Sequence, residues 1–371
     1  MLGAWLPRIP EVQEKLALSP SELALALIGA PIGTLLSLLF AGRIGDALGA
    51  KKTMAIFYPL FFLAMLAPFI APSQLTLAIA LAAVGSSISI LELGMNIAAD
   101  EVEKQFDQLV MSKAHGLWSL GLMTGTLVGS GAAGASISPL WAGVLLSIVF
   151  LPAGYLALRR LEIAQHQPAE KREKSGFSFP HPVLLGICAF TFGTTLTEGA
   201  VADWAAIFMR DALEAGPGLT GLSVTAFTLI VALARLSGDH FRKLVPVHIL
   251  AAGLAAVGLL GVATIYFAQS YVIALFGFAL IGLGASLAFP LAVSAAAKAP
   301  GRSSASNVAT LSFLALTGFL VGPVSIGFIT EATSIRTGLL VLAPMFFISA
   351  VFAIALKPQS SPKSATESLA T

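Results

Sequence analysis

Two carboxylates stand inside otherwise apolar runs of this 371-residue chain. Glu198 lies in FTFGTTLTEGAVADW and Glu92 in LELGMNIAAD, with Asn96 four residues further on the same helical face. A charged side chain at the centre of a lipid-spanning helix costs about 2.5 to 3.5 kcal/mol, and flanking apolar residues offset this at about 0.3 to 0.6 kcal/mol each. Such a helix still inserts, and its acid is driven to face the protein interior. There it serves either to bind a proton or solute, or as a neutral glutamate hydrogen-bonded to a neighbouring helix. Asp203 and Trp204 end the stretch that holds Glu198; the indole, like that of Trp5, suits a sugar ring or the aromatic belt of a membrane interface equally well. His115, in KAHGLWS, is either a proton relay to these acids or an interface residue at a helix end. The chain has no nucleotide-binding loop, no His-Glu-x-x-His and no supported Ser/His/Asp set, so neither ATP-driven work nor hydrolysis is expected, and no cofactor or metal.

Hydrophobic residues make up 57% of the chain and charged ones 11%. Apolar runs near the length needed to cross a bilayer recur throughout, and helices satisfy their own backbone groups in lipid. Hydropathy and helix breakers predict spans near 22–41, 53–71, 75–99, 113–135, 138–158, 181–209, 219–238, 247–267, 271–297, 304–330 and 337–356. The expected fold is thus an all-α polytopic membrane protein of eleven full helices, preceded by the short fragment MLGAWL. Of 21 Lys and Arg, all but Arg8, Lys15, Arg210 and Arg336 fall on one set of alternate connections. That bias places the basic face and the C-terminus in the cytoplasm, so the net charge of +2 is topological and calls for no nucleic acid. Cys188 is the one cysteine and lies in a span, which excludes an intrachain disulfide.

The two halves of the chain echo each other. Asp46 and Asp239 follow Gly45 and Gly238 at an offset of 193, Gly129 and Gly322 repeat at the same offset, and Trp5 matches Trp204 at 199. Duplication on this scale marks transporters whose two bundles rock about a central site. The division expected is a bundle at 1–158, a cytoplasmic linker at 159–180, a second bundle at 181–357 and a disordered tail at 358–371. Because MLGAWL aligns with only the last turns of the span 181–209, the native start is expected about 20 residues upstream, the length a first span needs. SPSE at Ser19–Glu22 has the form of a capping box with proline at the first helical position. Gly121, Gly125 and Gly129, spaced by four, suit close helix packing.

GRIGDALGAKK, with Gly42, Gly45, Asp46, Gly49, Lys51 and Lys52, resembles the loop between helices two and three of the major facilitator superfamily (MFS). Ala47 and Ala50 depart from that pattern at positions commonly basic in the family. WLPRIPEVQEKL, MNIAADEVEK, HGLWSLG and GASLAFPLAVSAAA look most like its MosC-like group of bacterial inner-membrane proteins, distantly similar to fucose permease. The resemblance implies two pseudo-symmetric six-helix bundles with the first helix truncated. It also implies a multi-pass inner-membrane transporter working by alternating access as a monomer, with a small solute and protons as partners. By the same analogy, the Asp46 loop is a cytoplasmic latch reaching the helix that begins near Ser303, with Arg235, Gly238 and Asp239 as its second-half copy and an Arg235–Asp239 pair at i,i+4. The plainer reading of that loop is a tight turn with topology-setting charges. A proton-coupled carrier of a sugar, polyol or related compound leads, with a drug or metabolite efflux antiporter and a non-transporting membrane sensor as alternatives.

Overall fold

The computed structural model describes residues 1–107, 110–162 and 180–357, apart from the side chains at 111–113, 115, 239 and 305. Most of the expected linker and all of the expected tail lie outside these residues. The described chain is helical: α1 (Leu2–Trp5), α2 (Ile9–Lys15), α3 (Pro20–Leu27), α4 (Gly29–Ile70), α5 (Gln74–Phe106), α6 (Met111–Gly134), α7 (Pro139–Arg160) and, in the second half, α8 (Pro182–Leu213), α9 (Pro217–Thr220), α10 (Leu222–Leu244), α11 (Val247–Phe267), α12 (Tyr271–Ala285), α13 (Ala288–Ala296), α14 (Ser304–Ala332), α15 (Ile335–Leu339) and α16 (Leu342–Phe352). Nine described stretches are long and apolar enough to cross a membrane, the first of them Pro20–Ile70 at 51 residues. That stretch is two spans joined at Gly49, and the 24-residue α6 is a further helix of full length, which recovers the eleven expected.

Local chemistry explains where these helices start and stop. Ser19 and Glu22 form the expected capping box, with Pro20 at the first helical position. Ser73, Ser138, Ser270, Ser303 and Ser334 likewise accept from a backbone N–H in the first turn of the helix that follows. The break between the first two spans differs from the expected turn at 42–52. Helical geometry runs on past Gly42 and is interrupted at Gly49, whose φ of 69° and ψ of 170° suit a residue without a Cβ. Outward-facing Leu39, Leu63, Leu75, Phe267 and Phe276 remain exposed, as a lipid-facing surface requires, while Trp204, Phe208, Phe278 and Phe346 are fully buried.

The four basic residues on the sparsely charged face are all committed to carbonyl groups. Lys15 donates to Phe69 O at 2.8 Å, Arg336 to Tyr266 O at 2.8 Å and Ala212 O at 3.1 Å, Arg210 to Pro10 O at 2.9 Å, and Arg8 to Ile137 O. Phe69, Tyr266 and Ala212 end helices, where free carbonyls and the negative dipole end favour a cation.

On this same face the two halves close on each other through paired seams. A methyl group on Gly134 would lie 3.2 Å from the Gly218 Cα, and one on Gly327 would lie 2.4 Å from the Ala24 Cβ and 2.8 Å from Pro20 O. Gly134 and Gly327 are 193 residues apart, the offset read from the repeat. The seams differ in chemistry. On one, Glu331 Oε2 accepts from Ser19 Oγ at 3.0 Å and Ser21 N at 2.9 Å, so a carboxylate from α14 sits at the positive end of α3. On the other, Thr126 and Thr225 hydroxyls meet at 2.7 Å. Arg210 ties the halves again through Gln13 Oε1 at 2.7 Å. Replacing Glu331 by Ala should loosen the first seam. Spin labels at Glu14 and Thr333 are expected to show a new population at longer distance, and an unchanged distance distribution would remove Glu331 from the closure.

Candidate functional site

Glu198 projects from α8, its side chain 25% exposed, and meets Arg235 of α10, 34% exposed, with Arg235 Nη2 donating to Glu198 Oε1 at 2.8 Å. Two opposite charges within an apolar bundle stabilise each other far more than at a water-exposed surface, because little solvent screens them. Arg235 makes a second bond: its Nε donates to Ser286 O at 3.0 Å, at the break between α12 and α13. A pair joined this way, with part of each side chain still accessible, can trade its internal partner for a proton or for polar atoms of a solute.

This geometry adds a partner for Arg235 that the sequence did not suggest. The sequence assigned it to a gating cluster with a local bond to Asp239; its guanidinium also reaches across to another helix, within the span Pro217–Gly238. The tertiary contact forms because Glu198 is an acid that apolar surroundings leave in need of a cation. The Asp239 and His115 side chains lie outside the described residues. Gly238 is buried, and a methyl group on it would strike Leu287 at 2.7 Å, next to the same helix break.

The other candidates are placed as follows. Asp203 is half-buried, five residues beyond Glu198, with no hydrogen-bond or ion-pair partner among the described residues. Trp204 is fully buried against Gly327 in the closed seam, and Trp5 is buried against Phe69 with ring centroids 5.5 Å apart. Neither indole is therefore presented to a solute in this conformation. Glu92 is exposed and Asn96 half-buried on α5. In the first-half loop, Asp46 is exposed without a partner among the described residues, nothing lies within 4 Å of a methyl group placed on Gly42, and Gly45 packs on Ile97. Lys51 donates to Leu161 O at 2.9 Å, and Lys52 is exposed. Ser303 caps its own helix by accepting from Ser306 N. Gly125 and Gly129 pack on Gly3 and Ala4, whereas no described residue lies within 4 Å of a methyl group placed on Gly121.

An apolar cavity of about 470 Å³, lined by Tyr58, Phe61, Phe62, Met95 and Trp118 among others, lies in the first half and holds none of the candidate acids. Among the described residues no three His, Cys, Asp or Glu side chains are grouped to hold a metal ion. Ser286, Pro290, Glu331 and Arg210 were missed by sequence reasoning. Of these only Pro290, a helix breaker within LGASLAFPLAV, carried a local signal.

A helical chain with duplicated halves, one closed face and an intramembrane ion pair defines a carrier-type membrane protein. A sequence model of the Major Facilitator Superfamily matches residues 2–316 and, separately, 183–370. The chain belongs to that superfamily and is a multi-pass membrane transporter, not an enzyme. The membrane protein MosC of Rhizobium meliloti is 28% identical over 340 residues, covering 92% of this chain and 83% of the relative. In fold, the chain is similar to the nucleoside transporter NupG, with a TM-score of 0.71 at 14% identity over 95% of this chain and 94% of that one. It is also similar to the E. coli fucose:proton symporter FucP, with a TM-score of 0.59 at 14% identity over 96% and 98%.

The ion pair makes a stability prediction. Arg235→Met leaves Glu198 without its cation and should cost about 3 kcal/mol, the low end for a buried pair because both side chains keep some exposure. Adding Glu198→Gln to that variant should recover most of the loss in denaturant unfolding of the micellar protein, and simple additivity would show that the two residues are not coupled.

Proposed function

We propose that this transporter is a secondary active carrier that moves a small polar solute, such as a sugar, polyol or related compound, across the bacterial inner membrane by alternating access, coupled to protons. The observation that carries the reading is the Glu198–Arg235 bond of 2.8 Å within the second half. A carboxylate held by a guanidinium is neutral as a pair. Protonation of Glu198 breaks the charge balance and frees donor capacity on Arg235 for a solute hydroxyl or carbonyl, so proton and solute occupancy become linked at one point.

The surrounding geometry supports a rocking cycle. Residues 1–158 and 181–357 form the two moving bundles, with the seams at Gly134 and Gly327 closed. If the basic face and the C-terminus are cytoplasmic, as loop charge indicates, this conformation is shut towards the periplasm. Asp46, exposed here, then latches the opposite face when the bundles rock, with Gly42, Gly45, Gly49, Lys51 and Lys52 shaping its segment. Asp203, Glu92, Asn96 and His115 are proposed as solute or proton groups along the path. Work as a monomer agrees with closure between halves of a single chain. FucP, a fucose:proton symporter, lends support to proton coupling on this fold.

Proteoliposomes under an imposed pH gradient, challenged with L-fucose, myo-inositol, uridine and a set of amphipathic drugs, test the reading. Wild-type protein should move protons with at least one polar solute, and Glu198→Gln should abolish that movement while retaining solute exchange. Proton movement with the drugs alone would favour efflux. No movement with any compound, in folded protein, would overturn the reading.

A further inference from the structure

In an unbroken helix the Ser286 carbonyl would accept from the N–H of residue 290. Residue 290 is proline, which has no N–H, and its ring crowds that same carbonyl. The helix accordingly breaks: α12 ends at Ala285, α13 begins at Ala288, and Leu291 N resumes bonding to Leu287 O at 3.0 Å. Ser286 is fully buried, so its carbonyl needs a donor from elsewhere. Arg235 Nε supplies it at 3.0 Å, while Nη2 of the same planar fork reaches Glu198 Oε1 at 2.8 Å. The two bonds use different N–H groups and do not compete. The Ser286 hydroxyl is occupied with Leu283 O, so the acceptor for Arg235 is the backbone alone. Helices α12, α13 and α16 contribute no charged side chain that competes for the guanidinium.

We propose that Pro290 is a positioning residue for the Glu198 site: by withholding its own donor, it keeps the Ser286 carbonyl as a fixed anchor that aims Arg235 at Glu198. The anchor is a matter of geometry; its consequence rests on the reading of Glu198 as the proton-exchanging acid. When Glu198 takes up a proton and becomes a neutral carboxyl group, Arg235 loses its counter-charge but keeps its carbonyl partner. The guanidinium stays within reach, and the pair re-forms when the proton leaves. A helix break of this kind, whose unwound carbonyl serves a site, is tolerated in a bilayer only where protein covers it.

Nitrogen-15 NMR of arginine-labelled protein in micelles reads the anchor directly, through solvent exchange of the Arg235 Nε–H, assigned by its loss in Arg235→Lys. Pro290→Ala gives Ser286 O an intrahelical donor and should speed that exchange by about tenfold or more, the scale of one hydrogen bond. Ser286→Ala should leave it slow, because the acceptor is main chain. Glu198→Gln should leave it slow as well, because the anchor does not need the ion pair. Exchange in Pro290→Ala as slow as in wild type would overturn the proposal, as would exchange in Glu198→Gln as fast as in a fully exposed arginine. If Pro290→Ala fails to fold, the other two variants decide: fast exchange in either one overturns the anchor. Because the measurement needs no solute, slow exchange together with absent proton movement in liposomes would keep the anchor and remove only its role in coupling.

Discussion

Lipid and apolar side chains cannot solvate a lone charge, and this one constraint organises the second half of the molecule. Glu198 can sit within α8 because Arg235 of α10 comes to it, and Arg235 can sit there because Glu198 and Ser286 O share its N–H groups. Each of three helices therefore gives up something local. Helix α8 carries an acid in an apolar run, α10 carries a cation near its middle, and the α12–α13 segment carries a break. Together these local costs are offset by one satisfied cluster, which is the pattern expected of a functional position rather than of a stability device.

Closure on the opposite side of the bilayer follows a different logic. There the seams are built from glycines that let backbones touch, Gly134 on Gly218 and Gly327 on Ala24 and Pro20. Basic residues on that face are few and each is committed: Lys15, Arg210 and Arg336 donate to helix carbonyls, and the acid Glu331 caps α3. Close packing with few polar bonds lets two bundles separate without stranding many buried donors. The asymmetry between a carboxylate seam and a hydroxyl seam means that the two edges need not open at the same cost.

Much of this was legible in the sequence, for identifiable reasons. Spans are read from length and hydropathy, so eleven helices were recoverable from numbers alone, and the Ser19–Glu22 cap is a local signature that the structure reproduces. The offset of 193 reappears physically in Gly134 and Gly327. Glu198 announced itself by its cost. Its partner did not, because the rules available from sequence pair charges four residues apart, whereas Arg235 finds an acid 37 residues away across a helix interface. The turn at 42–52 was expected as a whole glycine-rich loop, but a single positive φ at Gly49 suffices to divide the helix. Trp204 suited a sugar ring or a membrane-interface belt equally and is buried, in this conformation, in a seam that exists only once two halves meet. Ser286 has no local mark at all, since its role comes from a missing donor at Pro290.

The account stands on Glu198 exchanging a proton while Arg235 holds its charged form. Infrared difference spectroscopy of the membrane-embedded protein across a pH titration tests this without any knowledge of the solute. A protonated-carboxyl stretching band that titrates in wild type, is lost in Glu198→Gln and moves in Arg235→Lys is the expected result. Identical difference spectra for wild type and Glu198→Gln would contradict the claim, leaving the pair as a permanent strut between α8 and α10.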